Sequence, residues 1–196
     1  MAKRTPGIET LSIHAGAKPD PATNARITPI YQTTAYTFND VDHAASLFGL
    51  KAFGNIYTRI MNPTQGVLEE RVAALEGGTA ALAVASGHAA QLLIFHTLMQ
   101  PGDEFIASKK LYGGSINQFG NSFKSFNWNV KWADPDDIAT FEAAITKKTR
   151  AIFIESIANP ETAKQLATGV AERVYRSDAM KQAIEHLAVG DRKSVV

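Results

Sequence analysis

The spacing of apolar positions changes along the chain and divides it. Through the first 60 or so residues it holds no sustained period of 3.6 or 2, and Pro6, Pro19, Pro21 and Pro29 interrupt it among many Thr, Asn and Gly. That pattern predicts an extended arm. From Pro63 a helical spacing sets in: Val67, Leu68, Val72 and Leu75 share a face, Pro63 suits a first turn, and Gly77-Gly78 supplies a stop. A run of small apolar residues over 80–85 reads as a short buried strand. Ser86-Gly87 then makes a tight turn, and the apolar stretch 89–99, ended by Pro101-Gly102, has the length of a helix. The alternation continues with a strand over 104–107, a helix from Gly113 to about Phe123 and a strand over 129–132. Asp134-Pro135 reads as a cap with proline at the first helical position, before a stripe of Ile138, Phe141 and Ile145. A strand over 151–154 closes the series. Strands alternating with helices predict an α/β fold with a mainly parallel sheet covered on both faces.

Composition narrows the function classes. A chain of 196 residues, 45% hydrophobic and 20% charged, matches an ordinary globular protein of one or two domains. Its 20 basic and 19 acidic residues leave a net charge of +1 with no dominant block, so nucleic acid is not an expected partner. The absence of cysteine excludes disulfides, Cys-zinc sites and thiol catalysis, and agrees with a reducing compartment. Residues 1–7 lack the apolar run of a signal peptide, and no apolar stretch is long enough to span a bilayer; a cytoplasmic chain with no membrane partner is expected. His14, His43, His88, His96 and His186 lack metal-ligand spacing, so no metal is expected.

In a sheet of this kind, ligands bind beyond the carboxyl ends of the strands, where the following helices point their N–H groups outward. Ser86-Gly87-His88 lies at such an end. Glycine there lets a phosphate approach the backbone closely, or it merely makes a tight turn. Tyr112, after the next strand, can stack on a planar ring or simply pack on the sheet end. Arg59 has the planar fork suited to phosphate, though a loop arginine also serves in surface ion pairs. Together these form a kit for holding a phosphorylated planar cofactor. A serine hydrolase using Ser86 and His88 fails, because Val84-Ala85-Ser86-Gly87-His88 lacks the glycines of a nucleophile elbow and adjacent side chains do not converge.

Several blocks carry a resemblance to a known family: Glu9-Thr-Leu-Ser-Ile-His-Ala-Gly16, Pro29-Ile-Tyr-Gln-Thr-Thr34, Tyr57 to Thr64, Leu75-Glu-Gly-Gly78, Ala85-Ser-Gly-His-Ala-Ala90 and Glu155-Ser-Ile-Ala-Asn-Pro160. Over residues 1–160 the chain resembles the Cys/Met-metabolism branch of the fold-type-I pyridoxal-phosphate enzymes, which share the aspartate-aminotransferase-like large domain. Within it, Ser46-Leu-Phe-Gly-Leu-Lys-Ala-Phe53 resembles the arm of the O-acetylhomoserine sulfhydrylases more than that of the cystathionine enzymes. The resemblance implies pyridoxal 5'-phosphate as cofactor and an amino-acid substrate. It also implies that the backbone of Gly87 and His88 holds the phosphate, that Tyr112 stacks on the ring and assists proton transfer, and that Asn159 hydrogen-bonds the ring hydroxyl. Tyr57 and Arg59 match a pair that reaches the phosphate of a neighbouring subunit, which implies a homo-oligomer, a dimer or a tetramer.

The resemblance implies three regions: an arm over 1–62, a partial cofactor-binding α/β domain over 63–160, and a tail over 161–196 unlike the family. In the family an aspartate for the ring nitrogen, a Ser-x-Thr-Lys lysine for the cofactor and an arginine for the substrate follow the Asn-Pro matched by Asn159-Pro160. Residues 161–196 contain none of these in that pattern. Lys164 and Lys147-Lys148 lack the context to replace the lysine. The expected state is a truncated, sulfhydrylase-like chain that is inactive alone; a γ-lyase or cystathionine γ-synthase fragment, or a non-catalytic partner subunit, are the alternatives. Truncation is also expected to expose Ile152, Phe153 and Ile154, at about 1.5–3 kcal/mol per large side chain. Residues 161–190 are expected to be helical, and Asp191 to Val196 resembles translated adapter sequence rather than an encoded terminus.

Overall fold

The structure, a computed structural model, describes residues 6–154. The chain forms two compact units, Met1–Ala83 and Val84–Val196. The expected helix over 161–190, the tail and Asn159 lie outside the described residues.

The first unit is stitched by polar groups. Among its described residues three helices form, α1 (Ile8–His14), α2 (Val41–Phe48) and α3 (Pro63–Glu76). Two of them lie where an extended arm is expected, because seven or eight residues are too few to register as a period. The Asp40 carboxylate caps α2 by accepting from His43 N at 2.7 Å. At α3, Asn62 caps the start through Thr64 N, Pro63 opens the first turn, and Gly77 closes the helix in the left-handed region at φ 69°. The boundary between units lies after Ala83, so α3 shares the first unit with the arm.

The arm is fastened to the start of α3. The Asn62 amide donates to Tyr31 O at 2.8 Å, Thr64 Oγ1 donates to Pro29 O at 2.8 Å, and Tyr31 N donates to Thr64 Oγ1 at 3.0 Å. Asp20, itself buried, accepts from Ala22 N, Thr23 N, the Thr23 hydroxyl and the Tyr31 hydroxyl. The Tyr31 bond is the main reason that its carboxyl is held below the usual carboxylate range. At Gly16 the chain passes so close to α3 that a Cβ would lie 2.8 Å from Val67 O, and its φ of +72° also favours glycine.

The second unit is an α/β sandwich around a parallel sheet. Its described elements are α4 (Gly87–Leu98), β1 (Glu104–Ser108), α5 (Gly113–Gly120), a 3-10 turn (Ser122–Phe126), β2 (Asn129–Ala133), α6 (Ile138–Ala144) and β3 (Thr149–Phe153). The strand order is β2-β1-β3, with Phe105 opposite Val130 on one side and Ala151 on the other. Alternate side chains of the central β1 therefore enter different cores. Phe105 and Ala107 pack with Phe95, Met99, Phe119, Phe123 and Trp128; Ile106 packs with Ala133 and Phe141. The chain leaves β1 for β2 through α5 and returns past β1 to β3 through α6. Two right-handed crossovers running in opposite directions put their helices on opposite faces, and α5 and α6 do lie on the Phe105 and Ile106 faces respectively.

Three local expectations need correction. Residues 80–85 form no strand. Small side chains favour a strand only weakly, and no described strand pairs with this stretch, so its backbone has no ladder to join. Helix α6 starts at Ile138, capped by Asp137 through Ala139 N at 3.0 Å; Asp134 instead accepts from Asp136 N and closes the turn before it. The helix expected to run to about Phe123 ends at Gly120 and passes through the 3-10 turn to Asn127, whose φ of 58° reverses the chain. Ile152, Phe153 and Ile154 are half-buried, the isoleucines on the Phe141 cluster and Phe153 on the aromatic one.

Candidate active site

The sequence at the start of α4 produces an open ring of donors. Ser86 is extended and its hydroxyl accepts from Ala89 N at 3.1 Å, while its carbonyl accepts from Ala90 N at 3.0 Å. The amides of Gly87 and His88, on the first turn, have no hydrogen-bond partner among the described residues. Their N–H groups and the helix dipole favour an anion at this end. Gly87 has an ordinary φ, and a Cβ built on it would meet nothing within 4 Å. The turn therefore does not require glycine, and the missing side chain leaves open space in front of the donors.

Tyr112 lies beside this end. It directly precedes α5, and the residue is 67% exposed, so packing on the sheet does not account for it. The His88 imidazole stacks on it, with ring centroids 5.8 Å apart and planes inclined by 29°. Two bonds between α4 and α5 hold this geometry: Gln118 Nε2 donates to His88 O at 3.0 Å, and Gln91 Nε2 donates to Ser115 Oγ at 2.9 Å. Sequence reading gave no role to Gln91, Ser115 or Gln118. Nothing in their local pattern marks them, since 24 to 30 residues separate the partners.

Tyr57 and Arg59 belong to the first unit. Tyr57 forms an isolated antiparallel bridge with Ala35, and its carbonyl accepts from Ile60 N at 2.9 Å and Met61 N at 3.0 Å. Thr58 N donates to Thr34 O at 2.8 Å, and the Asn62 amide reaches Thr58 Oγ1 at 3.2 Å. This tight loop fixes the backbone while the Tyr57 and Arg59 side chains stay exposed, Tyr57 at 42%. Arg59 has no ion pair among the described residues, so the surface-pair reading of it has no support. Of the six expected site residues, the structure brings Gly87, His88 and Tyr112 together in the second unit, places Tyr57 and Arg59 in the first, and does not describe Asn159.

A helix start with two open amides beside an exposed aromatic residue fits the phosphate and one ring face of pyridoxal phosphate. The model of the Cys/Met metabolism PLP-dependent enzymes matches residues 9–177. The chain belongs to that family. The match runs 17 residues past Pro160, where the quoted blocks end. An O-acetyl-L-homoserine sulfhydrylase of Thermus thermophilus is 54% identical over 154 residues, 78% of this chain and 37% of that protein. The O-acetyl-L-homoserine sulfhydrylase of Leptospira meyeri is 51% identical over 153 residues, 78% of this chain and 35% of its own length. Among solved structures, a Campylobacter jejuni chain named as an O-acetylhomoserine (thiol)-lyase and carrying a pyridoxyl-lysine phosphate superposes with a TM-score of 0.81 at 36% identity, covering 87% of this chain and 43% of that one. The chain thus spans a little over a third of the length of the curated relatives it matches. Its fold is that of the family's α/β cofactor domain in part. Among the described residues no helix is long and apolar enough to cross a membrane.

Proposed function

We propose that this chain carries the phosphate- and ring-gripping part of an enzyme that makes homocysteine, or methionine, from O-acetyl-L-homoserine and sulfide or methanethiol. The observation that carries the cofactor half of the reading is the open start of α4 beside the exposed Tyr112 ring. The substrate half draws on the sulfhydrylases more than half identical over the matched region. In the net reaction the γ-carbon–oxygen bond breaks, acetate leaves with the electron pair, and the sulfur nucleophile forms the new carbon–sulfur bond.

The roles follow from chemistry. Pyridoxal phosphate, when bound, supplies the electron sink at the substrate's α-carbon. Gly87 and His88 hold the phosphate with backbone N–H groups, which keep their charge pattern at any working pH. The Tyr112 ring covers one face of the cofactor ring, and its phenol is the group available to move a proton there. Asn159 hydrogen-bonds the ring hydroxyl. Tyr57 and Arg59 complete the phosphate site of a neighbouring copy, so the working form is a homo-oligomer, dimer or tetramer; the fixed loop and a guanidinium with no ion pair among the described residues support this. Absence of cysteine agrees with a cytoplasmic setting.

Residues 1–196 contain no Ser-x-Thr-Lys sequence, and on this reading they do not turn over substrate by themselves. Borohydride treatment with pyridoxal phosphate should label no single lysine stoichiometrically; one uniquely labelled lysine, Lys164 for example, would overturn that. Activity is tested by joining residues 1–160 to the downstream part of the Thermus relative and supplying O-acetylhomoserine with sulfide. Homocysteine should dominate, and Arg59→Ala should weaken cofactor retention. Dominant 2-oxobutyrate at saturating sulfide would make the reaction a γ-elimination instead.

A further inference from the structure

Neither ring of the His88–Tyr112 pair is held by burial. Tyr112 is 67% exposed and His88 is exposed, yet the rings meet at a defined 29°. The space they share is bounded by Gly114, on the first turn of α5. A Cβ built on Gly114 would lie 2.5 Å from Tyr112 Cε1, 2.6 Å from His88 Cε1 and 2.8 Å from His88 Nε2. All three distances are shorter than any real Cβ contact. The backbone does not ask for glycine here, since Gly114 has an ordinary φ and glycine weakens a helix. Its neighbour Gly113 is the built-in contrast: a Cβ there would meet nothing within 4 Å.

We propose that Gly114 is a positioning residue, whose lack of a side chain lets the His88 imidazole lie against Tyr112 and so presets the Tyr112 ring beside the phosphate-binding start of α4. Sliding the helices apart to admit a methyl group would break the bonds of Gln118 to His88 O and of Gln91 to Ser115, which is buried, so moving the exposed rings costs less. The atoms that would be struck are the ends of two exposed rings. An added methyl therefore displaces the rings and leaves the fold, and His88 acquires a side-chain role beside the donation by its backbone. The consequence for cofactor affinity rests on the reading of Tyr112 as the ring-stacking residue; the consequence for the rings does not.

The test compares Gly114→Ala with Gly113→Ala in the 196-residue chain. The His88 ring protons, assigned by their loss in His88→Ala, should carry an upfield ring-current shift from Tyr112 in the parent and in Gly113→Ala, and lose it in Gly114→Ala with far-ultraviolet circular dichroism unchanged. Non-covalent pyridoxal phosphate affinity, read by titration, should fall about two- to tenfold in Gly114→Ala, the range of one aromatic stack, and by less than about twofold in Gly113→Ala. In a His88→Ala background two of the three close contacts vanish, so Gly114→Ala should then cost less affinity than in the parent. This comparison also serves if Gly114→Ala alone perturbs the fold. A His88 shift that survives Gly114→Ala, or an equal cost in both backgrounds, overturns the positioning role. Tyr112→Ala with unchanged affinity would instead sink the stacking reading and leave the ring-shift result to stand or fall separately.

Discussion

The two units solve the folding problem by different means. Among the described residues the first buries two apolar side chains, Leu47 and Ala73; the second buries ten, five of them phenylalanine. Ile30 and Leu50 in the first stand 86% and 90% exposed, whereas Phe95, Phe105 and Phe119 in the second are at most 1% exposed. Phe119 alone meets Phe95, Phe105, Phe123 and Phe153 at centroid distances between 5.0 and 5.3 Å. The first unit instead relies on caps, Asx turns and side chain to backbone bonds around Asp20, Asn62 and Thr64. Directional bonds set a local path, but each contributes only about 0.5–1.5 kcal/mol net. Burial of large rings contributes more per residue, through a non-directional effect that scales with the apolar area removed from water. A rigid site needs the second kind of support. Gly87, His88 and Tyr112 lie on the unit that has it, and Tyr57 and Arg59 on a loop fixed by directional bonds instead.

The largest expected effect contrasts one core and one surface truncation. Phe119→Ala should cost about 3–5 kcal/mol of the second unit's stability, whereas Leu50→Ala should stay within about 0.5 kcal/mol. Urea titration reads this by tryptophan fluorescence for the second unit, where Trp128 and Trp132 both lie, and by far-ultraviolet circular dichroism for the helices of the first. Comparable costs would mean that the contrast in burial does not govern stability.

A smaller effect separates the units more sharply. Asn62→Ala removes the cap of α3 and the amide that holds Tyr31 O, and should cost about 1–2 kcal/mol confined to the first unit. Amide exchange should speed up at Tyr31, Thr64 and Gly66 while the β1 amides keep their protection. Faster exchange throughout β1 would show that the second unit depends on the arm's bonds.

The smallest effect concerns acid. Glu104, at the start of β1, accepts from the Thr146 hydroxyl at 2.6 Å and pairs with Lys131 at 3.0 Å. The Thr146 bond first, and Lys131 second, hold its carboxyl below the ordinary glutamate range. A folded pKa below the unfolded one adds stability that is complete above the unfolded value and is lost as the pH falls through the folded value. Glu104→Gln should therefore flatten the decline of stability just below the ordinary glutamate pKa and leave its slope near neutrality unchanged. An identical acid limb in both proteins would remove Glu104 from the account.

Much of the site was readable along the chain because its parts are local. Ser86-Gly87 followed by an apolar stretch specifies a capped helix start, and Asn62-Pro63 with Gly77 specifies the ends of α3, because capping joins residues two to four positions apart. The match of ordered blocks to a cofactor-dependent family likewise needs residue identity alone. What failed did so for a physical reason. Residues 80–85 have a strand's apolarity but no described partner strand, and Asp134-Pro135 resembles a cap although Asp137 wins the role.

Residue identity thus determined the starts of α3 and α4, the donors at Gly87 and His88, and the family. Only the tertiary structure decided the order β2-β1-β3, the division of β1 between two cores, and the meeting of His88 with Tyr112 over Gly114. Caps and turns depend on bonds within one helical turn, which neighbouring residues specify unaided. Ladders and ring contacts join residues dozens of positions apart, and they exist only where burial makes it favourable to bring those segments together.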